Sequence, residues 1–192
     1  MYNILAILIA YLIGSIPTSV ILTRLFLKDD IRQHGSGNPG TSNMTRTYGV
    51  RLGAITLILD ALKGVAAVFV GLSMVGEAGR YYCGIAAVIG HDWPIFLKFK
   101  GGKGIATSFG VLLAIMPGWA LLALLVFLLV TIVTRYFSLG SLCALFFFVI
   151  VVLVGYMDNP ALVFTTIILA VIGVFRHWEN IKRLRAGTEN KL

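Results

Sequence analysis

Charge is scarce in this chain. Only 12% of its 192 residues are Asp, Glu, Lys or Arg, where a soluble domain carries roughly 25%. That shortage excludes an ordinary soluble fold. Two cysteines, Cys83 and Cys143, both inside apolar runs, supply neither a disulfide framework nor a zinc site. No Lys or Arg precedes Arg24, and the apolar run 1–23 outlasts the roughly 7–15 residues of a signal-peptide core. The run reads as a retained span with the N-terminus outside. The chain has no convincing internal repeat: PGTSN at 39–43 and KGIATS at 103–108 share only a glycine followed by hydroxyls.

What remains is apolar and basic. Hydrophobic residues make up 58% of the chain and mean hydropathy is +0.93, so an all-α, polytopic membrane helix bundle is expected, as one integral domain over residues 1–192. The net charge of +8 does not call for nucleic acid, because bases gathered on the cytoplasmic side of a membrane protein give the same total. Spans are predicted at 3–23, 52–75, 81–97, 139–157 and 160–176. The stretch 105–134 is too long for one ordinary span and short for two, and Pro117-Gly118 favours a turn inside it. Two short helices, 105–116 and 119–134, bring the count to seven. Every Lys and Arg except Arg80 and the intramembrane Lys63 then faces the cytoplasm, with the N-terminus outside and the C-terminus cytoplasmic. A single helix would move Arg135 and the basic C-terminus outside.

Polar residues cluster in three places. Segment 35–46 reads GSGNPGTSNMTR. Its glycines permit positive φ, so consecutive N–H groups can form an anion nest, and Arg46 can fork onto a phosphate. Asn43 or Ser42 can instead cap a short helix running to Tyr48, within a solvated loop. Segment 98–104, KFKGGKG, resembles a P-loop without the Walker spacing. A glycine–lysine turn at a helix start still suits a phosphate; a basic stop-transfer flank is the alternative. The third place is His177-Trp178-Glu179-Asn180 after the last span. There His177 and Asn180 project together if the helix continues, with Glu179 partnering an arginine, unless Trp178 is simply an interfacial anchor.

Asp60 and Lys63 share a face of the second span and are either a structural pair or functional groups. Asp92, in His91-Asp92-Trp93-Pro94, is placed to orient a neighbouring imidazole or guanidinium. Gly14 to Ser19 serve packing, with Pro17 kinking the first span. Ser138 and Ser141 cap the sixth span or line the pocket, the cap being the better reading.

Taken together, GSGNPGTSNMTR, GHDWPIFLKFKGGKGIATSFG and HWENIKRL, in that order along nearly the whole chain, resemble the acyl-phosphate:glycerol-3-phosphate acyltransferases of bacterial phospholipid synthesis. The resemblance implies transfer of a fatty acyl group from acyl phosphate to the 1-hydroxyl of glycerol-3-phosphate. It implies catalytic roles for Ser36, Arg46, His177 and Asn180, and a phosphate-binding loop at Gly101, Gly102, Lys103 and Gly104. Gly37, Asn38, Gly40, Thr41, Ser42 and Asn43 join the phosphate-binding set, while Asp60, Lys63, Asp92, Ser141 and Glu179 are supporting. Expected partners are acyl phosphate, glycerol-3-phosphate and membrane lipid, with no cofactor, no metal and no nucleic acid, in a monomer of the bacterial inner membrane whose active site faces the cytoplasm. An organophosphate transporter or a protein binding anionic lipid through its basic loops remains the alternative. No H-x-x-x-x-D motif of the soluble acyltransferases is present.

Overall fold

A computed structural model describes residues 2–192, and every regular element among them is helical. The chain divides into two compact units, Met1–Ala114 and Ile115–Leu192.

In the first unit, α1 (Tyr2–Ser15) breaks before Pro17 and α2 (Thr18–Leu22) resumes at 45°, running on as a π-helical turn, Thr23–Leu27. The break follows from proline, which has no N–H for the preceding turn. Thr18 N–H bonds Ile16 O instead of completing the ladder to Gly14 O. A loop with a 3₁₀ turn at Ile31–Gln33 leads to α3 (Thr41–Tyr48), then α4 (Val50–Val75) and α5 (Glu77–Asp92). Helices α1, α4 and α5 pack together, and small residues let them approach. A Cβ at Gly14 would overlap the Ala87 carbonyl of α5, and one at Gly90 the Tyr11 carbonyl of α1. After a 3₁₀ turn at Ile95–Leu97 comes α6 (Ile105–Ile115), which lies against α4 where a Cβ at Gly110 would overlap the Ala61 carbonyl. The core here is Ala6, Ala10, Ala67, Cys83, Ala86 and Ala87.

The second unit holds α7 (Pro117–Thr134), α8 (Phe137–Gly155), α9 (Pro160–Arg176) and α10 (Trp178–Arg185), the last pair bent by 59°. Helix α7 buries only Ala120, Ala123 and Thr131; Leu121, Leu122, Leu125, Leu128, Leu129, Ile132 and Val133 are exposed, as a lipid-facing helix requires. Cys143 is half-buried on α8.

Helices α4, α7 and α8 are each long and apolar enough to cross a membrane, and the two bent pairs raise the number to five. The seven-span reading also needs α5 and α6, which are 16 and 11 residues long. Three local expectations change. Pro117-Gly118 is no turn: the break is Met116, and Pro117 starts α7, where its missing N–H costs nothing. The predicted span 81–97 begins earlier, at Glu77, and leaves the helix at Asp92. Neither Ser138 nor Ser141 caps α8, whose N-cap is Tyr136 with no side-chain bond; Ser141 Oγ bonds back to Phe137 O at 2.9 Å.

Candidate active site

In the first unit the glycine-rich segment and the glycine–lysine loop are tied together. Asn38 Nδ2 donates to Gly101 O at 3.3 Å, and Ser19 Oγ of α2 holds Pro39 O at 2.7 Å. Asn43 does not cap α3, whose N-cap is Gly40. Buried at 2% exposure, it knits the loop instead. Its Oδ1 accepts from Ser36 N–H at 3.0 Å, and its Nδ2 donates to His34 O at 2.9 Å and Ile31 O at 3.3 Å. That leaves Ser36 exposed on the loop, with Gly37 at φ +68° beside it. Thr41, Ser42 and Arg46 are half-buried on α3. Below the loop, Asp30 accepts from Arg32 and Arg24, which hold its carboxyl well below the usual carboxylate range.

The glycine–lysine loop folds back on the end of α5. Gly101 N–H bonds Asp92 O at 3.2 Å and Gly102 N–H bonds His91 O at 3.1 Å. These two amides are therefore engaged with protein carbonyls. Gly104 takes φ +70°, and a Cβ there would stand 3.0 Å from Asp92 Oδ1. The Asp92 carboxylate is fully buried beside this turn.

Beneath the loop lies a narrow cleft lined by Gly14, Thr18, Pro39, Asp60, Lys63, His91, Gly101 and Gly102 among others. Asp60 and Lys63 are an ion pair at 2.8 Å but not an isolated one. Thr18 Oγ1 donates to Asp60 Oδ1 at 2.5 Å. Lys63 Nζ also donates to Gly14 O at 3.2 Å and Ile16 O at 2.9 Å, the carbonyls at the α1 break, and stands 3.2 Å from His91 Nδ1. For Gly14 O the ammonium thus supplies the hydrogen that the broken helix does not.

His177 and Asn180 belong to the second unit. The helix does not continue through them: His177 is the joint between α9 and α10, and its buried ring bonds Gly173 O at 2.8 Å. Because a carbonyl only accepts, Nδ1 carries the hydrogen. Asn180 Nδ2 donates to Glu189 Oε1 at 2.6 Å. Sequence reasoning missed Glu189, which lies in an unpatterned tail with no motif to mark it. It is buried and also accepts from Ser138 Oγ at 2.9 Å and Arg183 Nε at 2.7 Å. Burial pushes its carboxyl up, but these three donors outweigh it and leave it lowered. Glu179, expected to meet an arginine, is exposed and pairs with Lys182 at 2.9 Å.

Residues 4–187 match the glycerol-3-phosphate acyltransferase family. The chain is 46% identical over 192 residues to a glycerol-3-phosphate acyltransferase of Thermoanaerobacter pseudethanolicus, covering 100% of itself and 96% of the relative. It is 44% identical over 188 residues to the enzyme of that name from Agrobacterium fabrum, covering 98% and 91%. The fold is similar to the crystal structure of the integral membrane glycerol 3-phosphate acyltransferase PlsY in its glycerol 3-phosphate form, with TM-score 0.92, 35% identity and coverage of 100% and 96%. The lysophosphatidic acid form of PlsY gives a TM-score of 0.90.

Proposed function

This chain belongs to the glycerol-3-phosphate acyltransferase family, and from that premise we propose that it acylates the 1-hydroxyl of glycerol-3-phosphate with acyl phosphate as donor. The products are lysophosphatidic acid and inorganic phosphate. The observation that supports two phosphorylated substrates is the junction of Asn38 with Gly101, which sets the Ser36–Arg46 segment and the Gly101–Gly104 loop side by side in one unit.

Acyl phosphate is a mixed anhydride with a good leaving group, so positioning and charge stabilisation suffice. The glycerol oxygen attacks the acyl carbon, the bond from that carbon to the phosphate oxygen breaks, and the hydroxyl proton passes to a substrate phosphate or a nearby polar residue. Arg46 and Lys103 hold the phosphates. Ser36, Gly37, Asn38, Gly40, Thr41, Ser42 and Asn43 shape or line the first segment. His177 and Asn180 take their roles from the resemblance, His177 with its hydrogen on Nδ1. The protein is a multi-pass membrane protein, and the proposal places it in the bacterial inner membrane with seven spans, the N-terminus outside and the site facing the cytoplasm.

A detergent-purified sample tests the reading directly. Phosphate should leave acyl phosphate only when glycerol-3-phosphate is present, with one lysophosphatidic acid formed per phosphate. Release without the acceptor, or no release under any acceptor, overturns it.

A further inference from the structure

The Lys63 cluster has a directional consequence for the glycine–lysine loop. His91 Nδ1 stands 3.2 Å from the Lys63 ammonium and 3.7 Å from Asp60 Oδ1. An ammonium group has donors only, so this contact is a hydrogen bond in the tautomer that turns the Nδ1 lone pair toward Lys63 and carries the imidazole hydrogen on Nε2, one ammonium hydrogen then being shared among its acceptors. The Nε2 edge lies against Gly102, where an added Cβ would overlap Nε2, Cδ2 and Cε1 of the ring. The same residue's carbonyl accepts the Gly102 N–H at 3.1 Å, and the adjacent Asp92 carbonyl accepts that of Gly101 at 3.2 Å. Ring and backbone of His91 therefore touch the loop at one residue from two sides. His91 is 8% exposed and Lys63 6%, so both contacts are largely shielded from bulk water.

We propose that His91, locked as its Nε2–H tautomer by Lys63, is the positioning residue that shapes the Gly101–Gly104 loop for the phosphate of the acyl donor. The inference rests on the function proposed above, and it goes further by naming how the loop is held. The ring acts through the loop: it fills the space that a side chain at 102 would need, and Lys63 fixes its orientation by spanning from the α1 break to the end of α5. Glycerol-3-phosphate binding should feel the ring less than acyl-donor binding does.

A double-mutant cycle isolates this contact. His91→Asn keeps an acceptor near the Nδ1 position for Lys63 and removes the ring edge against Gly102. Gly102→Ala adds the methyl that collides with the ring. Purified wild type, both single variants and the double variant are assayed in detergent, with acyl phosphate and glycerol-3-phosphate varied in turn and thermal unfolding recorded for each. Each single variant should lose at least about tenfold in kcat/KM, carried mainly by KM for the acyl donor. The double variant should recover at least about fivefold over Gly102→Ala, because the methyl then occupies the emptied space; contacting residues couple in this way. Losses that simply multiply in the double variant overturn the proposal, as does a change confined to KM for glycerol-3-phosphate. If Gly102→Ala does not fold, recovery of folded protein in the double variant reads the same coupling, and absence of recovery overturns it. The wild-type sample separates this from the parent reading: should it work with another acyl donor and not with acyl phosphate, the donor assignment fails while the cycle is read with the working donor.

Discussion

Single residues decide how the loops are held. Gly104 has the left-handed φ of +70°, and Gly104→Ala should cost about 1–2 kcal/mol of backbone strain. The methyl also presses on the buried Asp92 carboxylate. Unfolding in detergent reads the first effect, and KM for the acyl donor, expected to rise, reads the second. If Arg46 holds a substrate phosphate as proposed, Arg46→Ala should abolish turnover with glycerol-3-phosphate, since a forked guanidinium would have no substitute there; near-normal kcat and KM would remove Arg46 from the scheme. Glu189→Ala strands three donors, Ser138, Asn180 and Arg183. The expected loss is about 3 kcal/mol, the low end for breaking a buried pair because Arg183 is partly exposed. Glu189→Gln retains an acceptor and should lose less.

At the level of elements, the breaks matter more than the helices. Lys63 joins α1, α4 and α5 by supplying hydrogens to carbonyls at the proline break. Lys63→Met leaves Asp60 buried with its charge uncompensated and should destabilise by about 3–5 kcal/mol. Asp60→Asn combined with Lys63→Met removes both charges and should be the milder variant, which paired unfolding curves will decide. Much of this layer was legible in the sequence. Pro17 marked the first break, the 105–134 run divided within a residue of Met116, and Asp60 and Lys63 stood out as charges in an apolar helix. The partners were not legible, because nothing local relates Lys63 to Gly14 or Asn43 to Ile31. Asn43 offered a helix cap by spacing, and tertiary structure gave its side chain three other bonds. Serines at the start of α8 misled for the same reason: Ser138 had a distant acceptor, Glu189, in a tail without pattern.

For the whole molecule, acid is the informative perturbation. Asp29, Asp30 and Glu189 all have their carboxyls held below the ordinary values. Asp29 is lowered chiefly by Tyr48 and His34, Asp30 by Arg32 in spite of burial, and Glu189 by Asn180 and its neighbours against burial. A group depressed in the folded state contributes stability that is complete above its unfolded pKa and is lost as pH falls through the folded one. These groups should therefore leave the melting temperature flat between about pH 7.5 and 5.5 and lower it below about pH 4.5, where the unfolded carboxyls begin to take up protons first. Glu189→Ala should flatten part of that acid limb. The helical membrane class was readable from hydropathy alone, whereas α6 is apolar but too short to count as a span and α5 is short with charged residues at both ends.

One quiet feature makes the proposed orientation measurable. Cys83 is sealed at 0% exposure in the packed alanines of the first unit, out of reach of a water-borne maleimide, whereas Cys143 is half-buried on α8. A chain carrying Cys143→Ala is thus a silent background for vectorial labelling, with Cys83 left in place. A reporter thiol at Glu77 should react from the outside of intact cells, and one at Lys100 only after the envelope is opened.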